Sequence, residues 1–339
     1  MDIDWLSDES HVLLNPRMPA DERARLESFV MDLPGHIWLA TSGTTGALKL
    51  TGLSKQAMLA SAAAVNRRLQ SDRNDVWLGV LPTFHVGGLG IHARAFLSGA
   101  RVVREWTDDV TLASLVPALV SDLVHTQAKP PRSLRAVVVG GGALSEELYR
   151  SAKELGWTLL PSYGMTETAS QVATAVPNSP ELLLLDHVEA RMEEDGRLAF
   201  RGASLFTGYA TEGGFVDPKR EGWFITEDLG SLEDSVLRIA GRRGDFIKIG
   251  GESVDLARLD AILFAIAGRH AALAPVFDAR LGQVLHLCVD TSVDGELVAA
   301  AFNDRVHPFE RARQVHRVPE IPRSSLGKLL RKELLELIQ

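Results

Sequence analysis

The sequence predicts an α/β protein with two domains. In the first 160 residues, short apolar runs alternate with segments whose apolar residues recur at helical spacing, which is typical of a mainly parallel sheet covered by helices. From about residue 189 to 239 the pattern changes to short strands and glycine turns, which indicates a small β-rich subdomain. A chain of 339 residues is also long enough for two cores. We therefore expect a large N-terminal domain and a small α/β domain at the C-terminus.

The elements of the large domain can be assigned in order. Residues 37–40 suit a buried strand, and Ser54 can cap a helix because apolar residues follow it at helical spacing. The same reasoning predicts strands over residues 76–81, 100–103, 112–116, 134–139 and 158–163, and helices over residues 88–97, 118–124 and 146–155.

Composition restricts the classes of function. A net charge of −8 argues against a nucleic acid or an anionic membrane as the main partner. No segment reaches the ~18 continuous apolar residues that a membrane span needs, and the acidic start of the chain does not resemble a signal peptide. Cys288 is the only cysteine, which excludes an intrachain disulfide and argues against a zinc cluster. These features favour a cytoplasmic protein.

A loop rich in glycine and threonine follows the first strand. Gly43 and Gly46 allow backbone conformations in which successive N–H groups converge on one point, and Lys49 adds a positive charge. Hydroxyl groups that can donate to anionic oxygens come from Thr41, Ser42, Thr44 and Thr45. This pattern predicts a polyphosphate site, with an ordinary turn as the alternative. Because Lys49 comes three residues after Gly46, the loop is not a Walker-type P-loop.

Two further loops follow predicted strands. The first is a run of three glycines that includes Gly141 and Gly142, and the second contains Tyr163 and Glu167. Loops beyond strand ends line the ligand crevice of open α/β sheets, so all three loops can meet at one site. Tyr163 could stack on a flat base, and Glu167 could bind Mg²⁺. Alternatively, Tyr163 is a core residue and Glu167 a solvated acid at a helix start.

Five ordered motifs resemble those of the adenylate-forming acyl-CoA synthetases. They span residues 41–46, 163–168, 223–230, 241–248 and 322–331. Within that family, residues 81–89 and 170–174 are most similar to the ligases that act on 2-succinylbenzoate in menaquinone synthesis. The resemblance implies an enzyme that activates a carboxylic acid with ATP and Mg²⁺, forms an acyl-adenylate and transfers the acyl group to CoA.

The resemblance also implies roles for matched residues. Thr166 would contact the phosphate and Glu167 would bind Mg²⁺, while Lys49 would offset phosphate charge. The residues expected at the adenosine are Tyr163 beside the adenine, Asp228 at the ribose hydroxyls, and Arg242 at the ribose or phosphate.

Lys328 lies in the last motif. On its own it would be a solvated lysine at a helix start, but the resemblance implies a lysine on a mobile loop that acts during adenylation. Residues 1–243 would then form the core domain, and residues 244–339 a lid that rotates between the half-reactions about Gly244.

His85 follows the strand over residues 76–81. It is either a capping or core histidine or, as the resemblance implies, a gate to the acyl pocket. A succinylbenzoate needs polar groups for its second carboxylate and its ketone. The candidates are Ser170, Gln171 and Thr174, which we place on a helix after Glu167, and then Arg94 as a weaker choice.

The start of the chain departs from the family, since only about forty residues precede the phosphate loop. A leading subdomain would then be missing, and we expect a homodimer to cover the exposed surface near residues 54–69 and 88–97. Two other functions stay open at this point: another aryl- or acyl-CoA ligase, and a non-catalytic adenylate-binding protein. Retention of Lys328 argues against the second, because only adenylation needs it.

Overall fold

The computed structural model describes residues 3–42, 48–243, 246–249, 252–278, 280–324 and 327–338. The chain divides into two compact units, Met1–Ala240 and Gly241–Gln339. Within the described ranges, no helix combines the length and apolar character needed to cross a membrane.

Strands and helices alternate in the first half of the chain, and strands dominate the middle. The strands are β1 His11–Leu13, β2 His36–Ser42, β3 Leu48–Ser54, β4 Val76–Leu78, β5 Arg101–Val103, β6 Leu112–Leu115, β7 Ala136–Val139, β8 Leu159–Met165, β9 Ser170–Thr174, β10 Leu182–Leu184, β11 Val188–Met192, β12 Arg197–Gly202, β13 Gly208–Thr211, β14 Gly214–Val216, β15 Phe224–Glu233, β16 Val236–Arg242, β17 Phe246–Ile249, β18 Glu252–Asp255, β19 Ala271–Asp278, β20 Gly282–Val289 and β21 Ala312–Arg317. The α-helices are α1 Ala20–Glu27, α2 Lys55–Leu69, α3 Val86–Ser98, α4 Pro117–His125, α5 Glu146–Glu154, α6 Leu256–Ala267, α7 Gly295–Asn303 and α8 Arg331–Glu336.

An 11-stranded sheet dominates the first unit, in the order β11-β12-β15-β16-β10-β9-β8-β7-β6-β4-β5. Strands β5, β4, β6, β7 and β8 are parallel, and the pairs from β8 to β11 are antiparallel where their registers are given. The predicted α/β class is confirmed, but the parallel part is only one end of the sheet. Parallel strands need long crossovers, whereas between β8 and α6 the described chain contains no α-helix, so the intervening strands pair antiparallel.

A second sheet carries the phosphate-loop strands, in the order β1-β2-β3-β13-β14. Strands β2 and β3 are antiparallel, and Trp38 faces Gly52 across the pair. A Cβ at Gly52 would lie 2.7 Å from the Trp38 ring, so glycine makes room for this fully buried indole. Directly after β3, the Ser54 hydroxyl accepts a hydrogen bond from the Ala57 N–H at 3.0 Å, which confirms the predicted helix cap.

The segment before β1 packs on the first unit. Trp5 is buried with apolar residues of β2, α2 and α3. Lys55, at the start of α2, is buried and its Nζ donates to the carbonyl oxygens of Asp4 at 2.7 Å and Ser7 at 3.0 Å. Residues 3–7 therefore cover part of the surface for which the sequence suggested a homodimer. On α3, however, Phe96 remains 45% exposed.

The second unit is an α/β sandwich. Its sheet has the order β18-β17-β20-β19, with β21 parallel to β20. Leu259 of α6 and Phe302 of α7 are buried against one face. Leu334 of α8 is buried against the other face, together with Cys288. Burial raises the pKa of the Cys288 thiol to about 11, so this cysteine is an inert core residue.

Candidate active site

A tight reversal carries the Thr166 and Glu167 side chains. Strand β8 ends in the 3₁₀ turn Thr166–Thr168, and β9 then returns antiparallel to β8. A Cβ at Gly164 would lie 1.6 Å from the Ser170 carbonyl oxygen, so the strands approach here only because residue 164 is glycine. The Thr168 hydroxyl accepts from the Met165 N–H at 3.1 Å and closes the turn.

The expected helix after Glu167 is wrong. Ser170, Gln171 and Thr174 lie on strand β9. Residues 171–175 are all buried, so the run has no polar face whose spacing would distinguish a strand from a helix. The Thr174 hydroxyl donates to Gln171 Oε1 at 2.6 Å inside the protein. The roles of Gln171 and Thr174 in substrate contact stay predictions.

Glu167 lies beside a residue that the sequence reasoning missed. The Tyr209 hydroxyl donates to Glu167 Oε1 at 2.7 Å, and Lys49 Nζ lies 3.6 Å from the centroid of the same ring. Tyr209 is on β13, which pairs with β3 so that Tyr209 faces Thr51. Lys49, predicted to contact the phosphates, and Glu167, predicted to bind Mg²⁺, therefore both contact Tyr209.

Other residues of the phosphate loop are described only in part. The Thr41 hydroxyl lies 3.0 Å from that of Thr51, on the adjacent strand β3. The backbone of Ser42 ends β2, but its side chain lies outside the described residues. Four predicted phosphate-binding residues also fall outside the described ranges: Gly43, Thr44, Thr45 and Gly46.

The predicted adenine and ribose residues are joined directly. The Tyr163 hydroxyl donates to Asp228 Oδ2 at 2.6 Å, linking β8 to β15. Gly141 and Gly142 are exposed and follow β7, which is the parallel neighbour of β8. Gly141 adopts a φ of +77°, which the glycine tolerates without strain. The glycine loop therefore follows β7 at the end where Tyr163 lies on the adjacent strand β8.

Arg94, the weaker candidate for the acyl pocket, is a buried arginine. It is 2% exposed on α3, where its Nε donates to the Gly90 carbonyl at 2.9 Å and its Nη1 to the Ser114 hydroxyl at 3.0 Å. The guanidinium carbon lies 4.8 Å from the centroid of the Trp77 ring. Within the described ranges, no carboxylate lies within ion-pair distance of Arg94. Burial lowers the pKa of Arg94 to about 9.

Gly90 provides the space in which the guanidinium lies. A Cβ at this position would be 2.9 Å from Arg94 Nη2 and 3.6 Å from the Ser170 hydroxyl oxygen. The Arg94 guanidinium and the Ser170 hydroxyl therefore both lie next to Gly90. Ser170 is three residues after Glu167 in the sequence. Among the polar candidates for the acyl pocket, the structure brings Arg94 and Ser170 together beside Gly90.

His85 immediately precedes α3 and is half-buried. Its ring packs on that of Phe84 with centroids 4.6 Å apart, and it makes no side-chain cap of the helix. Burial lowers the pKa of His85, so the ring is mainly neutral at pH 7. His92 lines a groove with Trp5 and Phe96, on a different face of α3 from Arg94. The role of His85 as a gate to the acyl pocket stays a prediction.

In the second unit, the backbone of Lys328 is hydrogen-bonded to Ser324. The Ser324 N–H donates to the Lys328 carbonyl at 2.8 Å, and the Lys328 N–H donates to the Ser324 hydroxyl at 3.2 Å. The Lys328 side chain is exposed. Arg242 is the last residue of β16, just beyond the division between the units. The predicted pivot, Gly244, lies outside the described residues.

Comparison with known proteins identifies the family of this chain. The family described as "AMP-binding enzyme" matches residues 37–210, just over half of the chain. The chain belongs to the AMP-binding enzyme family.

This AMP-binding enzyme is similar to proteins named 2-succinylbenzoate–CoA ligase and to solved structures of MenE. The chain is 32% identical to the 2-succinylbenzoate–CoA ligase of Geobacillus kaustophilus, over 88% of this chain and 68% of that protein. The structure of a point variant of Escherichia coli MenE with bound OSB-AMS superposes with a TM-score of 0.76 at 29% identity, covering 89% of this chain and 68% of the other. The structure of Bacillus subtilis MenE with ATP and a magnesium ion superposes with a TM-score of 0.76 at 26% sequence identity. The superposition covers 88% of this chain and 69% of that protein.

The donor set of this AMP-binding enzyme fits Mg²⁺ bound together with ATP. In the part of the chain that the structure describes, no group of three or more His, Cys, Asp or Glu side chains could hold a metal alone. Magnesium is usually bound by one or two carboxylates plus substrate phosphates and water. A single half-buried carboxylate at Glu167, beside the phosphate-loop strand that carries Lys49, meets that requirement.

Proposed function

We propose that this AMP-binding enzyme is a 2-succinylbenzoate–CoA ligase. A carboxylate oxygen of the acid attacks the α-phosphorus of ATP, and pyrophosphate leaves. The thiol of CoA then attacks the acyl carbon of the adenylate, and AMP leaves with one of the oxygens of the original carboxylate. The names and bound ligands of the relatives support this reaction.

Buried Arg94 is the observation that best supports an acid with a second carboxylate. A charged group that is taken out of water costs free energy unless it is paired. Within the described ranges the protein supplies hydrogen bonds to this guanidinium but no anion. An acid with two carboxylates supplies one anion to Arg94 and presents the other for activation. The Ser170 hydroxyl, near the same point, can bind the same carboxylate or the ketone.

ATP lies across the remaining residues of the site in this proposal. Tyr163 flanks the adenine, Asp228 accepts from the ribose hydroxyls, and the exposed glycine loop lets the base approach the backbone. Thr166 contacts the phosphate, and Lys49 offsets the negative charge of the phosphates. Bound Mg²⁺, held by Glu167, would neutralise phosphate charge as the two anionic reactants meet.

The second unit acts as a lid in the same proposal. The side chain of Lys328 is exposed, which suits a charge that is delivered to the carboxylate and α-phosphate only during adenylation. Residues 244–339 would rotate away before CoA attacks, and Arg242, near the division between the units, would contact the ribose or phosphate. His85, neutral at pH 7, would border the acyl pocket. A cytoplasmic location follows from the need for ATP and CoA.

A homodimer is also part of the proposal, supported by the exposure of Phe96 and Leu97 on α3. Sedimentation at micromolar concentration checks it, and a compact monomer would reject the dimer.

An acid panel tests the proposed function. Pyrophosphate release and thioester formation are measured with 2-succinylbenzoate, with 4-oxo-4-phenylbutanoate, which lacks only the ring carboxylate, and with benzoate and a fatty acid. Loss of the ring carboxylate should raise the barrier by ~2 kcal/mol or more, because Arg94 is left unpaired. Faster turnover of another acid would indicate a different ligase. Binding of ATP without pyrophosphate release from any acid would indicate a non-catalytic adenylate-binding protein.

A further inference from the structure

Tyr209 contacts both of the charged side chains expected at the ATP phosphates. Its hydroxyl donates to Glu167 Oε1 at 2.7 Å, and Lys49 Nζ lies 3.6 Å from its ring centroid. Within the described ranges, no other side chain hydrogen-bonds to the Glu167 carboxylate. The two contacts use different parts of the tyrosine, the hydroxyl and the ring face.

The position of the Tyr209 ring is itself fixed. Its backbone pairs with β3 at Thr51, two residues from Lys49. Its ring packs on Phe206, with centroids 4.8 Å apart and an angle of 55° between the planes. Phe206 is 1% exposed, and its N–H donates to the Glu167 carbonyl at 2.9 Å. The tyrosine is therefore attached to both the strand that carries Lys49 and the turn that carries Glu167.

We propose that Tyr209 is a positioning residue that holds Glu167 and Lys49 in the geometry that binds Mg²⁺ and ATP. The hydroxyl donates to Glu167 Oε1 and fixes the carboxylate, so that Oε2 would be the oxygen left for Mg²⁺. Partners that orient a metal ligand in this way commonly set metal affinity. The ring face holds the lysine ammonium by cation–π attraction. A cation over the ring also draws electron density from it, which makes the phenol a stronger donor to Glu167. This inference rests on the proposed function only in requiring that Mg²⁺ and ATP bind at this site.

Two substitutions separate the two contacts. Tyr209→Phe removes the hydroxyl and keeps the ring beneath Lys49, whereas Tyr209→Leu removes both. Tyr149→Phe is the matched control, because it deletes the same hydroxyl from a half-buried tyrosine of α5 that packs in a different apolar cluster. Calorimetry measures the binding of ATP with Mg²⁺ and with the metal chelated, in the absence of acid and CoA.

We expect Tyr209→Phe to bind metal-free ATP as the parent does but to lose roughly 10- to 100-fold of the apparent affinity for Mg²⁺ in the presence of ATP. Tyr209→Leu should also weaken the binding of metal-free ATP, and Tyr149→Phe should change neither. The Mg²⁺ concentration that half-saturates pyrophosphate exchange should shift in the same order, and the rate of Tyr209→Phe should recover at high Mg²⁺.

An unchanged response of Tyr209→Phe to Mg²⁺ would overturn the inference and leave Tyr209 as a packing residue. If Tyr209→Leu does not fold, Tyr209→Phe alone decides the outcome. The calorimetric assay contains no acid, so a wrong acid substrate does not affect it. If the parent protein fails to bind ATP, the proposed function and this inference are both rejected.

Discussion

Replacing Arg94 by Met should change activity and stability in opposite directions. The substitution removes the buried guanidinium while keeping an unbranched apolar side chain. The ring carboxylate of 2-succinylbenzoate then loses its partner in the pocket. The free protein, by contrast, is relieved of a buried charge. The described residues supply no counter-ion for that charge.

The lowered pKa of Arg94 and typical interaction energies set the approximate sizes of both effects. Burial lowers the pKa of Arg94 to about 9, so keeping it charged at pH 7 costs the folded protein about 5 kcal/mol. Arg94→Met removes that cost but also the hydrogen bonds to Gly90 and Ser114, each worth about 1 kcal/mol. The net effect on unfolding should lie between zero and about 3 kcal/mol of stabilisation. Loss of a buried ionic partner should cost catalysis about 2–5 kcal/mol, or roughly 30-fold or more in kcat/KM.

Arg135 provides the contrasting control. Its Nη2 donates to both carboxylate oxygens of Asp75 at 2.8 Å, and the Asp75 side chain is only 6% exposed. Burial opposes ionisation of Asp75, but hydrogen bonds from Arg135 and Thr111 outweigh it, so the pKa of Asp75 is lowered. Arg135→Met should therefore destabilise the protein and leave acid selectivity unchanged, because it strands a buried carboxylate.

Urea unfolding and steady-state kinetics with 2-succinylbenzoate and 4-oxo-4-phenylbutanoate measure both effects. Arg94→Met should lose the preference of the parent for the dicarboxylate while unfolding at an equal or higher urea concentration. The reasoning is refuted if Arg94→Met is destabilised by ~3 kcal/mol or more and slows both acids equally. That result would make Arg94 a structural residue.

Three further predictions concern the lid, the pH dependence of folding and the turn before Glu167. Lys328→Ala should abolish acid-dependent exchange of pyrophosphate into ATP but leave CoA attack on preformed acyl-adenylate nearly intact; equal loss in both assays would reject the rotating lid. Burial lowers the pKa of His187 to about 4. Between pH 6.5 and 4 the unfolded chain therefore binds a proton that the folded chain does not. The free energy of unfolding should fall by up to about 3 kcal/mol as the pH drops through this range. His187→Leu should flatten that part of a urea-unfolding series, and an unchanged slope would show that other groups cause it. Gly164→Ala should destabilise by more than ~3 kcal/mol, because the new Cβ meets the Ser170 carbonyl; a parent-like unfolding curve would show that β8 and β9 separate easily.

Local patterns were sufficient for helices α2 to α5 and for strands β4 to β8, but they did not predict β1 and α1. The Ser54 cap and the apolar spacing after it predict α2 to within one residue, because an amphipathic helix repeats the same signal over four turns. Strand β9 was missed for the opposite reason. Residues 171–175 are buried throughout, and the sharp reversal before them depends on Gly164, whose role appears only when β8 and β9 are paired.

The residues of the candidate site also differ in whether local sequence patterns could predict them. The order of motifs along the chain was enough to place Tyr163, Glu167 and Asp228 in one family pattern. The roles proposed for Arg94 and Tyr209 depend on tertiary contacts that no local pattern contains. In the sequence, Arg94 resembles a cation on a helix surface, and only the fold shows that it is buried beside Gly90 and Ser114. Tyr209 hydrogen-bonds to Glu167 across a separation of 42 residues along the chain.

Oxygen transfer from acid to nucleotide tests the central claim most directly. In the proposed reaction the carboxylate attacks the α-phosphorus, so AMP leaves with an oxygen that came from the acid. With ¹⁸O in both carboxylates of 2-succinylbenzoate, mass spectrometry of the products should show one labelled oxygen in AMP, together with 2-succinylbenzoyl-CoA. Unlabelled AMP, or ADP and phosphate in place of AMP and pyrophosphate, would contradict an acyl-adenylate and the ligase reaction proposed for this protein.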